Sequence, residues 1–166
     1  REAGRMWLMG EIPIADEHHG SQVVDRALWL LHERLPRPPV DAPVIATMSV
    51  GGNLHDLGIR IVSQRLQLAG FTVLNLGANM PAADLEWMFQ DRRIDLVAIS
   101  AAMAPHLHVL AETVAMVRKA TKGKVPVLVG GEPFRIAPDL YGRVGADAGA
   151  DDAEGAVGAA RLLLAR

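Results

Sequence analysis

The chain has 166 residues, half of them hydrophobic, with a formal net charge of −2 and no cysteine. That is one domain's worth of chain with enough apolar material for a core; it excludes a disulfide framework and any thiolate nucleophile or ligand, so a bound metal must rest on nitrogen or oxygen. There is no Lys/Arg cluster to grip nucleic-acid phosphates and no run of about 18 apolar residues to span a bilayer, so the expectation is a compact cytoplasmic protein that meets neither membrane nor, by these residues, DNA.

Arg1 to Gly10 reads as the end of a helix that opens in mid-pattern without a Met, so the chain is expected to be a fragment of a longer polypeptide. GEIPIAD supplies the Gly and Pro of a turn. From Ala15 to Leu35, apolar Val23, Val24, Ala27, Leu28, Leu30, Leu31 and Leu35 recur at helical spacing, with Asp16 as the predicted N-cap. Pro36 to Pro43, PRPPVDAP, is an extended linker that cannot continue the helix. The period then changes. Strand-length apolar runs at 43–50, 71–77, 94–100 and 125–131 alternate with helical patterns at 57–69, 81–92, 105–120 and 152–165, and a weak fifth strand is expected near Gly145 to Gly149. Continuous hydrophobicity suits strands covered on both faces, and alternation with helices implies right-handed crossovers into a parallel sheet. The predicted fold is α/β: a flavodoxin- or Rossmann-like five-stranded parallel sheet over 44–166, preceded by a helical part over 1–35. Such sheets bind ligands outside the carboxyl ends of their strands.

Three loop features lie at those ends. The stretch VGGNLHDLG, Val50 to Gly58, places His55 on a glycine-rich turn after the first strand. Taken alone it is a strand-to-helix turn; it lacks the Lys-Ser/Thr of a phosphate loop, and GxGxxG is absent. Ser100 ends the third strand, and Gly130-Gly131 ends the fourth, where a tight turn is the default explanation. His106 and His108 stand two apart at a predicted helix start, do not share a face and are expected to be exposed. Trp29 and Trp87 fall in helical apolar stripes and are expected in the core or an interface.

In combination the three features resemble the cobalamin-binding domains of corrinoid methyltransferases, adenosylcobalamin mutases and cobalamin photoreceptors, whose pattern runs Asp-x-His-x-x-Gly, Ser-x-Leu, Gly-Gly. Here Asn53-Leu54-His55-Asp56-Leu57-Gly58 is followed by 41 residues, then Ser100-Ala101-Ala102, then 27 residues, then Gly130-Gly131. The resemblance implies that His55, neutral, is the lower ligand to cobalt. It also implies that Gly51, Gly52 and Gly58 let the loop lie close beneath a corrin, and that Ser100, Ala102, Gly130 and Gly131 line the slot for the nucleotide tail. Asn53, Leu54 and Asp56 complete the expected cofactor-binding positions. Two residues depart from the pattern. Asn53 replaces the carboxylate that orients the histidine and raises its basicity, and Ala102 replaces Leu.

Upstream, Trp7, nine residues and then Glu17-His18 resemble the Trp-x9-Glu-His motif of CarH-type light-sensing regulators, in which these groups face the upper ligand. Leu8 stands where those regulators have a histidine. On this resemblance residues 1–35 are part of a helical-bundle cap over the upper cobalamin face. The domain is then an adenosylcobalamin light sensor without catalytic residues, in which photolysis changes cap packing or the assembly of a homo-oligomer, with DNA reached only through another domain. The alternatives are a corrinoid carrier of a methyltransferase, a cobalamin subunit of a mutase, and a scaffold that has lost its cofactor.

Overall fold

The computed structural model describes residues 2–165; Arg1 and Arg166, and the side chains of Ala3 and Leu8, lie outside the described residues. The chain divides into two compact units, 1–35 and 36–166.

In the first unit, α1 (Glu2–Leu8) and α2 (Ile14–His32) are joined by a turn in which Gly10 adopts a left-handed φ of +71°. Arg5 bridges the turn, reaching Glu2 at 2.7 Å and Glu11 at 3.0 Å. The predicted N-cap is corrected. Pro13, extended and with its φ already fixed, stands at the cap position, and Asp16 and Glu17 lie in the first turn, where the helix macrodipole favours acidic groups. Of α2's apolar residues only Leu28 is buried; Val23, Val24, Trp29, Leu30 and Leu31 are exposed. Trp29 is therefore not core, and neither is Trp87 in the other unit.

The second unit begins with β1 (Val44–Ser49), α3 (Leu57–Leu68), β2 (Thr72–Asn75), α4 (Leu85–Asp91), β3 (Leu96–Ser100) and α5 (Leu107–Thr121). It continues with β4 (Val127–Gly130), α6 (Glu132–Ile136), α7 (Leu140–Arg143), β5 (Ala148–Ala150) and α8 (Ala153–Leu164). The strands form the five-stranded parallel sheet that the sequence predicts, and the structure gives their order as β2-β1-β3-β4-β5. Their uninterrupted hydrophobicity reflects cover on both faces. Ala46, Met48, Val97, Ile99 and Val129 pack with Leu85 of α4 and with Leu110, Val114 and Val117 of α5. Ile45, Leu96, Ala98 and Leu128, pointing the other way, pack with Leu66 of α3 and with Val157 and Ala160 of α8.

Two aspartates fix the strand starts. Asp95 accepts the Val44 N–H at 2.8 Å, and Asp147 accepts the Val127 N–H at 2.7 Å and is paired with Arg118 at 3.0 Å. Asp147 thereby anchors β5, whose sequence AGA has little strand propensity of its own. The short helices α6 and α7, which the sequence does not announce, carry the chain from β4 to that strand. Among the described residues no helix is long and apolar enough to cross a membrane.

Candidate functional site

The carboxyl ends of β1, β3 and β4 are neighbours, so residues scattered through about half of the chain meet there. β1 runs into Val50, whose N–H donates to the Ser100 carbonyl at 3.0 Å. The chain then turns at Gly51-Gly52, where Gly52 takes a φ of +79° that strains any residue with a side chain. The Gly52 N–H donates to Oδ1 of Asn79 at 2.7 Å, while the Asn79 N–H donates to the Asn53 carbonyl at 3.1 Å. Asn79 itself sits at a φ of +53°, a conformation that Asn tolerates better than most residues. It clamps the histidine loop from the β2–α4 connection. Sequence reading missed it; the only local signal is an Asn in the turn-forming run Gly77-Ala78-Asn79.

Asn53 is completely buried. Its Oδ1 accepts from the His55 backbone N–H at 3.0 Å and stands 3.3 Å from His55 Nδ1, and its Nδ2 donates to the Ser100 carbonyl at 3.3 Å. The backbone N–H can only donate and the carbonyl can only accept, so the amide has one workable orientation. Oδ1 is then an obligate acceptor, so in its contact with the neutral His55 ring it is Nδ1 that donates. Nε2 keeps a free lone pair on an exposed ring, which is the form a metal ligand requires. The Ser49 hydroxyl, donating to the His55 carbonyl at 3.1 Å, secures the same turn from beneath.

The departure from a carboxylate at this position thus has a structural counterpart. A carboxylate could accept from His55 but could not donate to Ser100. Asn53→Asp is accordingly expected to set oxygen against oxygen in a buried site and to lower the stability of the cofactor-free protein by about 1–3 kcal/mol, measured by thermal or urea denaturation.

The glycines divide by cause. A Cβ built on Gly131, whose φ is +119°, would lie 2.0 Å from the Ala101 carbonyl oxygen, and one on Gly130 would lie 3.1 Å from the Ala150 carbonyl. Gly131 therefore lets β4's exit press against the backbone that follows β3, closing one side of the gap between these strand ends. At Gly58, in the first turn of α3, a Cβ would meet nothing within 4 Å. The chain itself does not demand glycine there.

Of the other expected positions, Leu54 is 74% exposed beside His55, and Asp56 occupies the N-cap position of α3 without capping it through its side chain. Ser100 and Ala102 are half-buried at the exit of β3. The fold brings His55, Ser100, Gly130 and Gly131 together. Trp7, Glu17 and His18 belong to the first unit. There Glu17 accepts from the Ser21 hydroxyl at 2.8 Å, Glu17 and His18 are 3.7 Å apart, and Trp7 is 43% exposed. Among the described residues no group of three or more His, Cys, Asp or Glu could enclose a metal ion. A metal at His55 must bring most of its own ligands, as cobalt in a corrin does with its four ring nitrogens. The donor set, one exposed imidazole on a loop fixed by Asn53 and Asn79, fits such a group.

Comparison with known proteins identifies the family. Residues 43–161 match the family described as the B12 binding domain. A dimethylamine corrinoid protein of Methanosarcina acetivorans is 34% identical over 122 residues, 73% of this chain and 56% of the relative. The dimethylamine corrinoid protein of Methanosarcina barkeri is 35% identical over 123 residues, 74% of this chain and 57% of the relative. The chain thus spans little more than half the length of these relatives. Among solved structures, a cobalamin-binding protein from Desulfitobacterium hafniense DCB-2 is 26% identical with a TM-score of 0.66, covering 96% of this chain and 75% of that one. The monomethylamine corrinoid protein of Methanosarcina barkeri shares the fold, with a TM-score of 0.78 at 22% identity, over 95% of this chain and 74% of that one.

These relatives correct the light-sensor expectation, because they are corrinoid proteins named for methylamines and not CarH-type regulators. Nothing in them supports DNA as a partner or an adenosyl upper ligand. The spacing of Trp7, Glu17 and His18 misled because three residues on an amphipathic segment carry little information beside 122 aligned ones. Glu17, in the first turn of α2 and bonded to Ser21, also has a sufficient local explanation in helix electrostatics.

Proposed function

Because the chain belongs to the B12-binding domain family and is a corrinoid-binding module, we propose that it serves a methyltransferase system as a methyl carrier, with His55 as the lower ligand to cobalt. Similarity to dimethylamine corrinoid proteins over most of the chain carries this reading. The presentation of His55, with Nδ1 committed to Asn53 and Nε2 free, supports it. When bound, the corrinoid supplies a cobalt centre that takes up a methyl group and gives it up again.

The protein's part is to hold and to orient. His55 would hold the cobalt, and Asn53 and Asn79 keep its loop in place. Leu54, exposed on the same loop, would offer the macrocycle an apolar contact. Ser100, Ala102, Gly130 and Gly131 frame the gap at the ends of β3 and β4 for the nucleotide tail. No cofactor role falls to Trp7, Glu17 or His18 in this reading. Activation of the amine and acceptance of the methyl group belong to partner enzymes in this reading.

The test is a cycle followed by visible spectroscopy. Protein reconstituted with cobalamin, chemically reduced and given a methyl donor is expected to acquire the spectrum of the methylated cofactor. It should lose that spectrum when a thiol acceptor and its methyltransferase are added. A loaded protein that cannot be methylated, or that prefers adenosylcobalamin to methylcobalamin by about 10-fold or more, a difference of about 1.4 kcal/mol, overturns the carrier reading.

A further inference from the structure

We propose that His106 is an additional corrinoid contact, its buried Nδ1 completed by a carboxamide on the rim of the bound cofactor. This rests on the corrinoid reading above and concerns a residue outside the motif that identifies the family.

Among the described residues, His106 Nδ1 is the only buried side-chain nitrogen or oxygen without a hydrogen-bond partner. Buried polar groups in native proteins are paired almost without exception, by protein, water or ligand. The residue as a whole is half-buried, with Nδ1 on its covered side. The His106 backbone N–H is tied to the Met103 carbonyl at 3.0 Å in a tight turn, and the residue stands immediately before α5. Its neighbour behaves differently. His108, two positions on, is 82% exposed and lies 3.3 Å from Glu112. The expectation that both histidines are exposed therefore holds for one of them, because residues two apart on a helix point in different directions.

The helix also indicates where His106 faces. Val109 packs against the histidine loop, its Cγ1 lying 3.6 Å from a Cβ built on Gly51. Residues three apart share a helix face, so His106 lies on the same side as Val109 and one turn nearer the start of α5. In a strand-helix-strand unit that start is at the carboxyl edge of the sheet, where His55, Ser100 and Gly131 converge. The orphaned nitrogen thus sits on the cofactor side of the domain, on the face turned to the loop that carries the cobalt ligand. A corrin is fringed with primary carboxamides, each both a donor and an acceptor. Such a group satisfies Nδ1 in either tautomer of a neutral imidazole.

Two substitutions test this. His106→Phe keeps a ring of similar shape without nitrogen, whereas His106→Asn places a polar atom near the position of Nδ1. The dissociation constant for hydroxocobalamin is measured for wild type and both variants, with the visible spectrum of each complex and the melting temperature of each cofactor-free protein. The expected result is an affinity about 10-fold weaker for His106→Phe and within about 3-fold of wild type for His106→Asn. All three spectra should show the same nitrogen-ligated cobalt. The cofactor-free His106→Phe protein should melt at or above the wild-type temperature, since an unpaired buried nitrogen has been removed; a merely structural histidine would lose stability instead. Equal affinity in wild type and His106→Phe means that only water meets Nδ1 and overturns the proposal. Equal weakening in both variants means that the ring acts by packing and overturns it as well. If wild type binds no cobalamin, the corrinoid reading itself falls, an outcome distinct from either of these.

Discussion

Replacing His55 with alanine is expected to move the visible spectrum of the cobalamin-loaded protein away from that of a nitrogen-ligated cobalt while leaving the cofactor-free fold intact. The asymmetry follows from how the residue is built in. Its ring is exposed and packs into no core, so truncation leaves no cavity. The loop is held by main-chain and neighbouring groups that survive the change: the residue-55 N–H to Asn53, the Ser49 hydroxyl to the residue-55 carbonyl, and Gly52 to Asn79. What disappears is Nε2, the lone pair that the Nδ1–Asn53 contact keeps available. Removing a group that merely supports a metal ligand costs about 10–100-fold in affinity, and removing the ligand itself should cost at least that much. Added imidazole should restore the wild-type spectrum, because the vacated space is open to solvent. A His55→Ala complex with an unchanged spectrum would sink the lower-ligand assignment.

The opposite pattern is expected for Gly131→Ala: severe damage to the protein before any cofactor is added. The new methyl would lie 2.0 Å from the Ala101 carbonyl oxygen and 2.8 Å from its carbon, both backbone atoms that no rotamer change can clear. The residue would also be held at a φ of +119°, strained for any side chain. Strain of this kind costs about 1–3 kcal/mol, and forcing an atom into a packed site costs a further 1–3 or so. Against a typical total of about 5–15 kcal/mol this is a large fraction, and it corresponds to a fall in melting temperature on the order of 10 °C for a domain of this size. Relief requires Gly131 and Ala101 to separate, which would pry apart the exits of β4 and β3 and weaken cobalamin binding as well. A variant that melts within about 2 °C of wild type, a change of about 1 kcal/mol or less for a domain of this size, would show that the close approach does not constrain the fold.

These two residues also mark how far the sequence can be read. The motif spacing identified both, but assigned them one purpose, contact with the cofactor. For His55 the structure is consistent with that purpose. For Gly131 the nearest cause is internal, a collision with a residue 30 positions earlier in the chain that becomes visible only once β3 and β4 are paired. Asn53 shows the same limit. As a departure from the family pattern it reads as a weakened support for the histidine, whereas the fold makes it a two-sided bridge that a carboxylate could not form. Asn79 carried no signal beyond turn chemistry, because its partners lie across a loop closure.

The parallel sheet, the place of the histidine loop and membership of the B12-binding family can be read from the residues alone, though the light-sensor assignment drawn from Trp7, Glu17 and His18 could not. Each of these is written in local form, as a two-faced apolar run, a period of 3.6 residues or a fixed spacing between short motifs. The fold was needed to show which nitrogen of His55 faces Asn53, why Gly131 admits no side chain, and that Nδ1 of His106 is covered while His108 is exposed. Those properties depend on which loops meet at the carboxyl edge, and hence on strand order and helix direction, which bring together residues whose separation along the chain says nothing of their distance in space.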